Sequence, residues 1–271
     1  MARWLLDCRP LCGHSWRLGV ATEPHEREEV YRLRYEVFFR EKGYGDAGAA
    51  GAGGRDVDSF DEWCDHLILY DVDRGRMIGT YRAIPGAEAI RRGGFYGDFE
   101  FDLSPLRPIF SQILQGSRTC VAADYRGGPA FEYLSYGMDR LLQEHNCRYF
   151  MGADSFSTDD PEELNLIYSY VRRFAMDPRW HIEPTPACRV AGVHEVPVTE
   201  AYERMLPSVI RMDFRLGFRA VSPIAWDPEF RSYDILVIAD RQHVSGLYVS
   251  LIERVNRKLR LQMAHSPPQP G

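Results

Sequence analysis

No run of about 18 or more apolar residues occurs in the 271-residue sequence, so no membrane-spanning helix is expected. The N-terminal run Trp4-Leu5-Leu6 stops at Asp7 and is too short for the apolar region of a secretory signal. Positive charge is not in excess. The 33 Lys and Arg stand against 39 Asp and Glu, a net charge of −6, so nucleic acid is not an expected partner and any anion must meet a local basic patch. Six cysteines, at 8, 12, 64, 120, 147 and 188, form no CxxC pair, and their irregular spacing implies reduced thiols in a cytoplasmic protein. Cys8, Cys12 and His14 lack a nearby fourth ligand, so no metal site is expected there. A Walker loop and a G-x-G-x-x-G fingerprint are both missing, which excludes the common nucleotide-binding turns.

What is present is enough apolar material for a core: 45% hydrophobic and 13% aromatic residues. Trp16, Leu18 and Val20 alternate, which predicts a strand over 16–21. Thr22, Pro24 and the acidic Glu26, Glu28 and Glu29 then open a helix carrying Val30, Leu33, Val37 and Phe38 at helical spacing. Arg34 falls on or beside that buried face, an unusual place for arginine. Strands over 67–71 and 77–84 flank the turn Asp73-Arg74-Gly75. A strand is expected over 118–122, a helix over 130–145 and a strand over 148–152. Helices follow over 161–173 and 203–216, then a strand over 235–239. Leu247, Leu251, Val255 and Leu259 mark a last, basic amphipathic helix before a proline-containing tail. The pattern is α/β. It divides into an extension over 1–15, one domain over 16–240, and a C-terminal helix and tail over 241–271.

Three local features could carry chemistry. Tyr125-Arg126-Gly127-Gly128 joins a strand to a helix, so its N–H groups and the helix start could meet a phosphate; an ordinary strand–helix turn has the same pattern. The acidic group Asp56, Asp58, Asp61, Glu62 and Asp65 could hold a cationic amine or a metal, or be a solvated turn. Gly45 to Gly54, rich in Gly and Ala, is expected to be a mobile cover over whatever that group binds, or a tolerated insertion. His66 and Cys120 sit in apolar strands and read as packed residues.

Several ordered motifs resemble one family. Leu33-Arg34-Tyr35-Glu36-Val37-Phe38, Asp58-x-x-Asp61, Ile78-Gly79-Thr80-Tyr81-Arg82 and Arg118-Thr119-Cys120-Val121 follow the order seen in acyl-homoserine-lactone synthases. Phe60 to His66, Gly93 to Tyr96, Glu100 to Leu106, Cys120 to Arg126 and Trp226 to Phe230 are more similar to the ornithine-lipid N-acyltransferases. The resemblance runs from about Trp16 to Ala239. It implies a single GNAT-like domain with a central mixed, twisted sheet flanked by helices. The implied reaction moves a long, often 3-hydroxylated, acyl group from acyl carrier protein (ACP) to the amine of ornithine. No tightly bound cofactor is implied, and acyl-CoA is an alternative donor.

By that resemblance the thioester lies between two parting strands, 118–122 and 148–152, with the N–H near Val121 on its carbonyl and Arg126, Gly127 and Gly128 on pantetheine. Arg34, Phe38, Asp58, Asp61 and Arg82 line the acceptor side, and Arg118 is catalytic. The family has Glu where this chain has Gln115, and Gln cannot take a proton. Asp58, Asp61, Glu100 or a water chain would then serve as base. The same fold acting on another amine, making an acyl-homoserine-lactone-like signal, or only binding acyl-ACP or lipid, are the competing readings. An acidic carrier needs a basic face. Arg211, Arg215 and Arg219 form one. Arg254, Arg257, Lys258 and Arg260 form another, which also suits an anionic membrane surface.

Overall fold

The computed structural model describes residues 2–11, 14–45 and 53–265, with the backbone alone at 7–11, 14 and 259–265. Strands β1 (Arg3–Leu11) and β2 (His14–Val20) form a hairpin, followed by helix α1 (Pro24–Tyr35). The Glu26 carboxylate accepts the N–H groups of Thr22 and Glu23 at 2.9 and 3.0 Å, which closes the start of α1. The helix then widens into a π-helical turn over Glu36–Glu41. Next come β3 (Asp65–Asp71), β4 (Arg76–Pro85), α2 (Gly86–Arg92) and two 3₁₀ segments, Tyr96–Phe99 and Ser104–Gln112. The unit β5 (Ile113–Val121), α3 (Ala130–Glu144), β6 (Tyr149–Phe156) follows, then α4 (Pro161–Tyr170). The chain ends with α5 (Ser208–Leu216), β7 (Arg219–Ala220), β8 (Ala225–Asp227), β9 (Ser232–Asp240) and α6 (Gly246–His265).

The nine strands make one mixed sheet in the order β1-β2-β3-β4-β5-β6-β9-β7, with β8 also on β9. Every pairing is antiparallel except β5 with β6. On one face α3 packs Leu134, Met138 and Leu141 over Leu18, Leu67, Leu69 and Ile78. On the other, α1 packs Val30 and Tyr31 over Ile68 and Met77, and Phe95, Phe101 and Leu106 cover Ile84, Ile113 and Met151.

Three expectations change. Residues 3–11 are not an appendage but the edge strand of the sheet, in register from Arg3–Val20 to Leu11–His14. The helix expected over 203–216 is two pieces, a 3₁₀ segment Glu200–Met205 and α5, because Pro207 has no N–H for a continuous helix and instead precedes the first turn. The apolar stripe of α6 is partly turned inward: Leu251 and Val255 are buried in the core while Leu247 is exposed, and Arg254 pairs with Glu132 of α3 at 2.9 Å. Among the described residues no helix is long and apolar enough to cross a membrane.

Candidate active site

The parallel pair β5–β6 is registered only at Ile113–Tyr149, Leu114–Phe150 and Gln115–Met151. Beyond it the two strands part: β5 continues on β4, and β6 continues on β9 as far as Phe156–Tyr233. Gly116 stands where they part. A Cβ there would lie 2.7 Å from the Phe150 ring and 2.8 Å from the Tyr81 ring. Past it, β5 bulges against β4, and Arg118 takes φ = 52°, a left-handed conformation costly for a non-glycine residue.

Strand geometry then fixes which amides face the gap. The Ala122 N–H donates to the Ile78 carbonyl at 2.9 Å, so the neighbouring Gly79–Val121 pair is the non-bonded one. The Val121 N–H therefore points away from β4, toward the β6 side. Its carbonyl accepts Arg126 Nε at 2.9 Å. Gly127 takes φ = 75°, and α3 starts at Ala130 with no side-chain cap.

A closed set of charges flanks the gap. Arg34, in α1, is wholly buried; its Nε donates to Asp56 Oδ2 at 2.8 Å and its Nη1 to Asp61 Oδ1 at 2.7 Å. Arg82 Nη1 donates to both oxygens of Asp58, at 2.6 and 2.7 Å, and to Asp61 at 3.1 Å; its Nε donates to Ser117 Oγ. Arg118 Nε donates to Asp56 Oδ2 at 3.1 Å and Nη1 to the Tyr96 hydroxyl at 2.9 Å. Three arginines thus match three aspartates, which answers the cost of burying either charge. The guanidinium pairs hold the Asp56 and Asp61 carboxyls below the usual carboxylate range, against the opposing effect of burial.

Two donors in this set lack a hydrogen-bond partner among the described residues: Arg82 Nη2 and Arg118 Nη2. Both guanidiniums lie over the Tyr96 ring, at 4.9 and 4.8 Å, and Arg118 also lies over Phe230 at 4.1 Å. Phe38, at the π-helical turn, meets the edge of Phe230 at 6.1 Å. The sequence-predicted acceptor residues, Arg34, Phe38, Asp58, Asp61 and Arg82, thus gather with Arg118. Residues 46–52, most of the expected cover, lie outside the described residues, as do the side chains of Cys8, Cys12 and His14.

Gln115 is buried, and its Oε1 accepts the Tyr96 N–H at 2.8 Å, so it holds the turn that carries Tyr96. Burial, with Asp234 and Asp227 beside it, raises the Glu100 carboxyl far above the ordinary value, which favours its protonated form and weakens it as a base. Sequence reasoning missed Glu229. Its carboxylate is mostly exposed, 3.9 Å from Arg118 Nη2, and burial of its surroundings raises it above the ordinary value.

Two clusters have metal-like composition. Asp61, Cys64 and His66 come within 4.8 Å of one another, but Asp61 is taken by two arginines and burial pushes the Cys64 thiol up to about 12. His66 Nε2 donates to the Asp61 carbonyl oxygen at 3.1 Å, and burial lowers the imidazole to about 4. The unfolded imidazole binds a proton below about pH 6.5, whereas the folded one does not until about pH 4. Stability from this neutral histidine is therefore complete above pH 6.5 and is lost as the pH falls. Relative to His66→Gln, the parent should lose on the order of 3 kcal/mol between pH 7 and pH 4 in denaturant titrations. A constant difference across that range would show that His66 titrates normally. The second cluster, Glu100, Asp227 and Asp234, has no cation paired to it among the described residues.

Comparison with known proteins agrees with this fold. Residues 33–136 match the acetyltransferase (GNAT) domain family. An N-acyl amino acid synthase from uncultured soil microbes, FeeM, superimposes with a TM-score of 0.50 at 11% identity over 88% of this chain and 98% of its own. The chain is a single GNAT-like α/β domain with a nine-stranded mixed sheet, a fold it shares with acyltransferases. Along most of its length it is related to L-ornithine N(alpha)-acyltransferases. The Rhodobacter capsulatus enzyme is 28% identical over 244 residues, 85% of this chain and 92% of the relative. The Rhizobium meliloti enzyme is also 28% identical over 244 residues, covering 85% and 82%.

Proposed function

We propose that the protein transfers a long, 3-hydroxylated acyl group from acyl-ACP to the α-amine of ornithine. The observation that carries this reading is the placement of Arg82 Nη2 and Arg118 Nη2, buried and unsatisfied, beside the gap between β5 and β6. An amino-acid carboxylate supplies the acceptor oxygens that these donors lack. The thioester enters the gap, where the Val121 N–H donates to its carbonyl oxygen as negative charge develops. Arg126, Gly127, Gly128 and the uncapped start of α3 receive the pantetheine phosphate. Glu229 takes the ammonium proton, the role Gln115 cannot fill. The free amine attacks the carbonyl carbon, the C–S bond breaks, and an amide and the carrier thiol result.

For the carrier, α5 and the 3₁₀ segment before it offer exposed Met205, Val209 and Met212 near Arg204, Arg211 and Arg215, an apolar centre with basic neighbours suited to an acidic protein. Incubation of the protein with 3-hydroxyacyl-ACP and ornithine, read by mass spectrometry, should give the N-acyl amino acid. Glu229→Gln should lower kcat by about 10²- to 10⁴-fold and remove the acid limb of the pH profile, which in the parent lies above the ordinary Glu value. No amide with any amine would overturn the reading, and an unchanged profile would exclude Glu229.

A further inference from the structure

We propose that Glu100, Asp227 and Asp234 form the pocket for the distal ammonium of a diamino-acid acceptor, and so set the choice of ornithine over amino acids without a second amine. This rests on the acceptor site proposed above. The three carboxyl groups come within 4.8 Å of one another, and all three residues are buried. In the arginine–aspartate set every carboxylate has its guanidinium. Here Asp227 Oδ1 accepts only the N–H groups of Glu229 and Phe230, at 2.7 and 3.1 Å, and Asp234 accepts the hydroxyls of Ser155 and Ser232, at 3.1 and 3.0 Å. Glu100, only 3% exposed, shares a side-chain hydrogen bond with Asp234 and leaves its Oε2 without a partner. Three buried acids without a cation are an incomplete set, and an ammonium with three N–H donors completes it.

Position adds a second argument. Gln115 and Ser117 of β5, Ser155 of β6 and Asp234 of β9 share one face of the sheet by alternation and register, the face on which Arg82 meets Ser117. Asp227 holds the N–H of Phe230, and the Phe230 ring lies 4.1 Å from the Arg118 guanidinium. The unsatisfied guanidinium donors and the unsatisfied acid cluster therefore adjoin the same turn. Through this turn the acids stand beside the Arg118 guanidinium, so that ornithine would place its carboxylate at Arg82 and Arg118 and its side-chain ammonium at the acids. Burial and the neighbouring carboxylates raise both Glu100 and Asp234 above the ordinary range, the direction that a nearby ammonium would reverse.

The test compares ornithine with 2-aminopentanoate, the same chain without the terminal amine, in the full-length protein and in Asp227→Asn and Asp234→Asn. Asparagine keeps an oxygen for the backbone and hydroxyl donors. The parent should favour ornithine in kcat/KM, and each variant should lose about 10- to 100-fold for ornithine with little change for 2-aminopentanoate. Equal use of both amino acids by the parent, which needs no variant, overturns the proposal. So does an unchanged ratio in folded variants, which would leave the cluster as a shared-proton pair. Saturable binding of Ca²⁺ or Mg²⁺ by the parent, lost in Asp227→Asn, would overturn it in favour of a metal site. Calorimetric binding separates the two readings. If ornithine binds better than 2-aminopentanoate, and Asp227→Asn abolishes the difference, this pocket stands even where no amide forms and the proposed reaction fails.

Discussion

Asp61→Ala is expected to cost about 3–5 kcal/mol of folding stability, the largest effect of any single side chain in the acceptor region. Asp61 is wholly buried and takes donors from both Arg34 and Arg82, while its Oδ2 also accepts the Asp58 N–H at 2.8 Å. Removal leaves Arg34 with Asp56 alone and strips the backbone of an acceptor. For a chain of this size the melting temperature should fall by about 6–15 °C. Asp58→Ala is the control: its side chain is 19% exposed, so water can replace part of what is lost. A melting point within 2–3 °C of the parent, roughly the effect of 1 kcal/mol, would mean that the buried charges rearrange without Asp61.

Arg118→Ala should do the reverse, abolishing at least about 10²-fold of kcat/KM for the amine acceptor while moving the melting temperature less than Asp61→Ala. Its carboxylate neighbours keep other partners, since Asp56 retains Arg34 and Asp58 retains Arg82. What disappears is a flat cation held over Tyr96 and Phe230, with one donor left for a ligand. Arg118→Lys should not restore activity, because an ammonium cannot both lie flat between two rings and reach the same atoms. Acceptor kinetics of the three proteins, beside their melting curves, check this. Parent-like turnover in Arg118→Lys would reduce Arg118 to a plain charge.

Much of this was readable in the sequence. The helical spacing of Val30, Arg34 and Val37 places an arginine on a buried stripe, and the β3–β4 hairpin and the β5-α3-β6 unit follow from local patterns. The acid cluster was not readable. Glu100 ends a 3₁₀ turn, and Asp227 and Asp234 lie more than a hundred residues on, set beside each other by the pairing of β8 with β9. Glu229 stands on a turn with no periodicity to flag it. The strand β1 was hidden because Asp7-Cys8-Arg9-Pro10 breaks the alternation that signals a half-buried strand. The break at Pro207 was visible, yet the apolar spacing on both sides suggests continuity.

The single parallel pairing has a mechanical meaning. Apart from three registered residue pairs, the backbone ladder does not join β1–β5 to β6–β9 across the middle of the sheet. The two halves are held instead by helices: α3, which links them in sequence, and α6, which leaves β9 and returns across α3 to β1. The seam can therefore widen like a hinged book whose spine is side-chain packing, and every antiparallel ladder on either leaf stays intact while it does.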